Sequence, residues 1–514
     1  MPEPGVITLL RSDNRIVISP TTPKIEALIL PQLRYTSKKM LYGWEAKKAG
    51  TKVLLTDYDC FVHDLKDRIA TSIGFLPRIR QTLLAAGYKL AVEDLTPYPT
   101  PEYLEPMWDR LFEPDRNINL RHRQDEMLVK IATLIKTRMP GRFDCPPGFG
   151  KSFIFGLVGL LYPKLKIHIV TKRVSVLSDR IFPELSQMLP DVGIVVGGKK
   201  RVGRRVMCYS ADSLNHSDGK CDVLFVDECH ESAADAYSNL LGRYTASTNI
   251  GMSATHGMRL DAKDMRNEAM FGPVVMTVTY EEAAANGMVV PIRVNWRSVT
   301  MDVNPISRGM PSVERKRWGL WRNEVRNRII ADDAESYPED VQRLIVCEVI
   351  EHALYLKKLL PDYALVYAQN GIKPDDVAYY RNLGVWPPGH QIMTIDERQR
   401  LTRLFEQGKL KKAIVTTVWN VGVSFNYLEA LFRADGGASP TMDTQIPGRT
   451  SRLNPIGGKE YGTIHDYLDQ FDEGFKQRAH GRQKSYASQN WLQVFPSGTG
   501  EGRNVPARFK LYMG

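Results

Sequence analysis

The sequence has little cysteine, and none of it is arranged for chemistry. Cys60, Cys145, Cys208, Cys221, Cys229 and Cys347 are its six cysteines among 514 residues. They form no CxxC pair and no Cys/His cluster at zinc spacing. That excludes a disulfide-stapled scaffold and a structural zinc site, and fits a reduced, soluble, cytoplasmic protein. Long apolar runs are also absent. The longest, Phe153 to Pro163, falls well short of the roughly 20 residues that cross a bilayer as a helix. Met1-Pro2-Glu3-Pro4 has no apolar core of a secretory signal. There is no internal repeat and no low-complexity tract. A hydrophobic fraction of 43% with 25% charged residues excludes a disordered, collagen-like or fibrous chain.

What is present is a moderate basic excess. Lys and Arg number 69 against 58 Asp and Glu, a formal charge of +11, which permits a polyanionic partner. The length suggests about three domains. Residues 1–95 read as a small α+β accessory module. Gly5–Leu10 and Arg15–Ser19 are β-branched strand candidates, Pro77 starts a helix that Gly87 ends, and Tyr88, Leu90 and Val92 alternate as in a strand. Residues 96–119 contain Pro97-Tyr98-Pro99-Thr100-Pro101 and read as a linker. Two α/β domains follow, over 120–290 and 291–475. Ile167–Val170 and Val223–Val226 in the first, and Ala364–Tyr367, Ala413–Thr416 and Thr463–His465 in the second, are short apolar runs typical of parallel strands covered on both faces. Residues 476–514 read as a basic, flexible tail.

The strongest local signal is Cys145-Pro146-Pro147-Gly148-Phe149-Gly150-Lys151-Ser152 ahead of an apolar helix. Gly148 and Gly150 let backbone N–H groups wrap a phosphate chain at a helix N-terminus. Lys151 can reach the terminal phosphates, and the Ser152 hydroxyl can ligate Mg²⁺. Cys145 stands where the generic pattern has its first glycine. A second strand ends in Asp227-Glu228-Cys229-His230. Asp227 is placed to hold Mg²⁺, and Glu228 to orient and deprotonate a water for attack on the γ-phosphate. The pair reads as an NTPase.

Together these residues resemble the superfamily-two DExH-box helicases and translocases. Leu120-Arg121-His122-Arg123-Gln124, Ser253-Ala254-Thr255 and Gln445-Ile446-Pro447-Gly448-Arg449-Thr450-Ser451-Arg452 follow that family's order over roughly 120–470. The resemblance implies two tandem RecA-like parallel-sheet motor domains behind the α+β module, with ATP and Mg²⁺ as cofactors. It makes Gln124 the adenine reader, and Gln445, Arg449 and Arg452 catalytic groups reaching the γ-phosphate from the second domain. It makes His230, Ser253, Thr255 and Gly422 coupling residues, with His230 facing Gln445. Gly422-Val423-Ser424-Phe425-Asn426 has serine where many relatives carry aspartate, a spelling similar to the phage UvsW-like recombination helicases. Thr171, Lys172, Ser210, Ser213 and Thr417 are its implied nucleic-acid contacts.

Outside the motifs, Arg308 to Arg328 interleaves basic residues with Trp318 and Trp321. It reads either as a strand-contacting element, whose rings stack on bases, or as a helix packing its tryptophans inward. The 476–514 tail is either a nucleic-acid contact or a solubilising extension. Lys199, Lys200, Arg201, Arg204 and Arg205 form a further cluster open to both readings. The expected function is an ATP-dependent DNA helicase or translocase in replication, recombination or repair, phage-encoded and acting in the host cytoplasm. Its partners would be single-stranded, duplex or branched DNA and replication or recombination proteins, with no membrane. A restriction-system translocase, an RNA helicase and a non-translocating ATP-controlled clamp are the alternatives.

Overall fold

The computed structural model describes residues 6–12, 14–40, 50–51, 53–95, 101–114, 116, 118–233, 241–242, 244–253, 264–307, 309–368, 371–419, 425–438 and 440–496. They belong to two units: Met1–Pro146 with Gly150–Thr279, and Pro147–Phe149 with Tyr280–Gly514.

The first unit begins with β1 (Val6–Ser12), β2 (Arg15–Ser19), β3 (Arg34–Met40), β4 (Val53–Asp59), β5 (Phe61–Leu65), β6 (Arg68–Ser72) and β7 (Lys89–Asp94). Five of these make a sheet in the order β5-β6-β2-β1-β7, and β3 and β4 pair as a separate antiparallel ribbon. The helices Pro23–Ile29 and Leu76–Ala85 bury Ile25, Ile29, Ile79 and Leu83 against Leu9, Ile16 and Ile18. At about 1.5–3 kcal/mol for each such side chain taken from water, this core is substantial for a module of its size.

The module is docked onto the eight-stranded sheet behind it. The Arg11 guanidinium donates to the Ser247 carbonyl at 2.8 Å, and Arg78 pairs with Glu268 at 2.5 Å. Gly74 lies so close to the helix Asp264–Phe271 that a Cβ there would sit 1.8 Å from the Glu268 carbonyl oxygen. No side chain fits at that position. The proline-rich segment also differs from a free linker. Leu104 and Leu111 are buried, and the Met107 N–H donates to the Leu161 carbonyl at 2.9 Å. Prolines break regular structure there, yet the apolar residues between them still find a core.

The motor sheet of the first unit contains β8 (Gly141–Asp144), β9 (Ile167–Thr171), β10 (Val192–Val196), β11 (Lys199–Arg201), β12 (Val206–Ser210), β13 (Lys220–Asp227), β14 (Thr245–Ser253) and β15 (Val274–Thr277). Their order is β11-β10-β12-β9-β13-β14-β8-β15. All neighbours run parallel except the β10–β11 hairpin. Every residue of β9, β10 and β12 is buried, as continuous apolar runs require.

The second unit holds a seven-stranded parallel sheet. Its strands are β16 (Ile292–Val299), β17 (Gln342–Val346), β18 (Ala364–Val366), β19 (Lys412–Val415), β20 (Leu428–Arg433), β21 (Gly462–Asp469) and β22 (Leu492–Val494), in the order β18-β19-β17-β20-β21-β16-β22. Two features differ from the sequence reading. Residues 473–487 are not a flexible tail: they form the helix Glu473–Ala487, and Leu492–Val494 extends the sheet beside β16. Phe475, Ala479, Arg482 and Tyr486 face inward at helical spacing. The tail's remaining cations, Arg503, Arg508 and Lys510, lie outside the described residues.

The basic segment before residue 328 is the second difference. Five of its charges are taken up within the unit, Arg315 by Asp472, Lys316 by Glu348, Arg317 by Glu314 and Glu351, Arg322 by Glu351 and Arg326 by Asp469, while Arg328 is exposed and Arg308 lies outside the described residues. Trp321 is 7% exposed and packs with Ile306, Leu320 and Phe475. It cannot stack on a base, which corrects its assignment as a nucleic-acid contact. Trp318 remains 43% exposed, with the Arg322 guanidinium 5.4 Å from its ring centre.

Candidate nucleotide site

The loop Cys145–Gly150 joins β8 to the helix Lys151–Leu161. Gly148 and Gly150 have φ of 93° and 96°, left-handed values that glycine alone adopts without strain. A Cβ on Gly150 would also lie 2.9 Å from the Gln124 amide nitrogen. Cys145 holds the loop down: its N–H donates to the Ser253 carbonyl at 2.9 Å. Burial pushes its thiol up to about 12, so the residue in the glycine position is structural and unreactive.

Strand order brings the carboxyl ends of β13, β14 and β8 side by side. Five side chains meet there. Lys151 Nζ lies 2.5 Å from Glu228 Oε1 and 3.1 Å from Asp227 Oδ1. The other Glu228 oxygen lies 3.4 Å from His230 Nδ1, and Ser253 Oγ donates to it at 3.5 Å. His230 Nδ1 and Ser253 Oγ are 2.7 Å apart. Glu228 holds φ of 51°, a costly value for a residue with a Cβ, of the kind that persists where surroundings over-determine it.

The electrostatics follow from burial and pairing. Burial alone would raise the Glu228 carboxyl, but Lys151 and then His230 overcome it and hold the group at about 2. Burial would likewise lower Lys151, yet Asp227 and Glu228 hold its ammonium well above the ordinary lysine range. Burial lowers His230 against the pull of Glu228. Asp227 Oδ1 is buried and has no hydrogen bond besides its ion pair with Lys151. A buried carboxylate oxygen of this kind suits Mg²⁺, which takes one or two protein oxygens and fills its remaining positions with phosphate and water; Ser152 is 4% exposed at the helix N-terminus. No cluster of three or more His, Cys, Asp or Glu forms a metal cage among the described residues.

Gln124 is 1% exposed, and its Oε1 accepts the Arg121 N–H at 2.9 Å. Beside it an open depression of about 530 Å³ is lined by Leu120, Arg121, His122, Arg123, Asp125 and Glu126. Among the implied nucleic-acid contacts, Lys172 and Thr417 are exposed at strand ends. Thr171, Ser210 and Ser213 are not exposed. They are buried, with Ser210 and Ser213 bonded to each other at 2.7 Å and Thr171 Oγ1 accepting from the Arg173 N–H. Their hydroxyls serve the fold, which corrects their assignment as direct contacts. Thr255 and Gly422 lie outside the described residues.

In the second unit, Arg449 lies on the short 3-10 helix Pro447–Ser451 and Arg452 caps it. At three residues per turn, positions three apart share a face. The Arg449 guanidinium lies 5.3 Å from the Phe425 ring centre. Two supports escape a motif reading. Arg433 binds Asp443, two residues ahead of Gln445, and also Tyr486; Ser485 bonds the same Asp443. Tyr486 and Arg482 close on Asp466, at 2.7 Å and 2.9 Å. The inward stripe of the Glu473–Ala487 helix was the signal that placed Arg482 and Tyr486 in a core.

Lys459 is the second support. Its ammonium donates to the Leu428 and Arg452 carbonyls, the latter at 3.0 Å. Burial pushes it down to about 7, against Glu429 and reinforced by Arg452. Unfolded lysine keeps its proton to about 10.4. Between these values the unfolded chain binds more protons, so this group makes stability rise with pH. Melting temperatures from pH 7 to 9 will therefore shift in favour of the native chain over Lys459→Met; a constant difference means that Lys459 titrates normally.

Residues 117–258 match the family described as type III restriction enzyme, res subunit. Among solved structures, the fragment of an HsdR subunit of a type I restriction enzyme from Vibrio vulnificus superposes with a TM-score of 0.51 at 16% identity, covering 88% of this chain and 92% of that one. The likeness is one of fold: parallel α/β sheets in tandem. S. cerevisiae Dbp5 bound to RNA and ADP BeF3 gives a TM-score of 0.50 at 12% identity, over 76% of this chain and 93% of that one. T4 UvsW aligns over 95% of this chain and 98% of its own at 15% identity, with a TM-score of 0.36 that is too low to bear on the fold. No curated protein matches the sequence at a significant level. The two parallel-sheet units thus share a RecA-like fold, and no described helix is long and apolar enough to cross a membrane.

Proposed function

We propose that this chain is an ATP-dependent DNA helicase or translocase that unwinds or remodels duplex or branched DNA in replication, recombination or repair. The observation that carries the reading is the meeting of Lys151, Asp227, Glu228, His230 and Ser253 behind two left-handed glycines. Glu228 and Asp227 pair with Lys151. A nucleotide's terminal phosphates offer that ammonium a stronger anion, and its transfer releases Glu228. Freed from Lys151, the carboxylate becomes more basic and can accept a proton from water. Ser152 and Asp227 would hold Mg²⁺, which neutralises charge on the phosphate oxygens.

Arg449 and Arg452 would supply further cations to the γ-phosphate, and Gln445 would meet His230 to couple nucleotide state to grip. Thr255 and Gly422 complete that coupling set by resemblance. Lys172, Thr417 and Trp318 are the exposed groups offered to a nucleic-acid strand. The UvsW-like assignment rests on the Gly422–Asn426 spelling. A duplex translocase of a restriction system is the second reading, favoured by the match of residues 117–258.

The test compares ATP turnover with single-stranded DNA, blunt duplex, four-way DNA and RNA, followed by strand separation on the best activator. Stimulation by branched DNA with unwinding is the expected result. Stimulation by blunt duplex without strand separation would select the restriction-type reading. RNA as sole activator, or turnover indifferent to every polymer, would overturn the proposal.

A further inference from the structure

We propose that the β10–β11 hairpin is a phosphate-backbone contact that extends the nucleic-acid track along the first motor sheet, beyond the helicase motifs. The inference deepens the nucleic-acid motor reading and rests on it.

Strand order is the first observation. The parallel strands place their carboxyl ends on one edge of the sheet. Successive neighbours β13, β14 and β8 carry the nucleotide site. On the other side of β13 come β9, β12 and β10, ending at Thr171, Ser210 and Val196. The hairpin turn Gly197–Gly198 follows Val196, so Lys199 emerges on the same edge as exposed Lys172. Three strand steps separate β10 from β13, roughly 14 Å. That is beyond a lysine's reach to the nucleotide, so these cations do not serve ATP.

Pairing is the second observation. Lys199, Lys200, Arg201 and Arg204 are exposed, and none forms an ion pair among the described residues. The clustered cations before residue 328 behave oppositely and are matched to carboxylates. The fifth member of the hairpin cluster shows the contrast locally. Arg205 is anchored to Asp191 and to the Tyr162, Leu165 and Gly159 carbonyls. It anchors the amino-edge end of the hairpin, next to Arg204, while Lys199 stands by the turn on the carboxyl edge and Lys200 and Arg201 lie between them along the edge strand. Sequence-independent grip needs cations of this kind, held in place and open to a phosphate chain.

Lysines on an edge strand also prevent sheet-to-sheet association, and β11 is an edge strand. The experiment separates the two roles. The full chain carrying Lys199→Gln, Lys200→Gln, Arg201→Gln and Arg204→Gln is compared with the native chain and with a control carrying Lys220→Gln, Lys358→Gln and Lys373→Gln, all exposed elsewhere. Binding to single-stranded DNA, duplex DNA and RNA is measured against salt. The expected result is a salt slope smaller by about 2–3 on single strands and an affinity roughly tenfold weaker at 0.1 M salt. ATP turnover without nucleic acid stays unchanged. An unchanged slope, with self-association seen by light scattering, would overturn the inference and leave β11 an edge guard. If the native chain binds no polymer, the motor reading itself falls, and the hairpin with it.

Discussion

Glu228→Gln leaves the protein folded and lowers ATP turnover by about 10²–10³-fold, measured as phosphate release at saturating ATP. The amide keeps the shape of the carboxylate and its contacts with Ser253 and His230, but cannot take a proton from water. Lys151→Ala also loses turnover, with a second consequence. Lys151 faces two carboxylates in a largely buried cluster, its own side chain 15% exposed and those of Asp227 and Glu228 8% and 24%. Removing the shared cation leaves like charges together and costs about 3 kcal/mol of stability. The two variants therefore separate chemistry from folding. Glu228→Gln with native turnover would remove the base from the mechanism. Lys151→Ala with an unchanged melting temperature would show that the cluster does not need its cation.

Arg482→Met has the largest expected effect on stability. Arg482 and Asp466 are 1% and 0% exposed, bonded at 2.9 Å and 3.1 Å, and Arg482 also donates to the Gly437 and Tyr467 carbonyls. Removing one partner of such a pair costs about 3–5 kcal/mol, because the other is left charged and dry. Denaturant unfolding of the full chain would show an early transition for the second unit. Combining it with Asp466→Asn should cost less than the sum of the two single losses. Because the same network ends on Asp443, ahead of Gln445, the surviving folded fraction should also turn over ATP more slowly. A single loss below about 1 kcal/mol would mean that water reaches the pair.

The sequence made the architecture legible where one physical rule dominates. Val223–Val226 could only be a covered strand, and it is the buried centre of β13. Gly148 and Gly150 announced a tight turn ahead of a helix, because no other residue adopts their left-handed backbone cheaply. Legibility failed where charge had to be judged without its partners. Arg482 and Arg503 look alike in a list of cations, yet Arg482 is locked on Asp466. Trp318 and Trp321 stand three residues apart, and packing alone decides that one is exposed and the other buried. Ser210 and Ser213 bond each other, a pairing that spacing does not reveal. The Lys459 ammonium has a role only once the Arg452 carbonyl lies beside it.

Gly74 has a mechanical consequence. With a helix carbonyl where its side chain would be, the N-terminal module is seated on the motor lobe at contact distance, and Arg11 and Arg78 fasten it there. A module attached this way is a rider, without the slack of a tether. Any displacement of that lobe therefore carries the module with it, without lag.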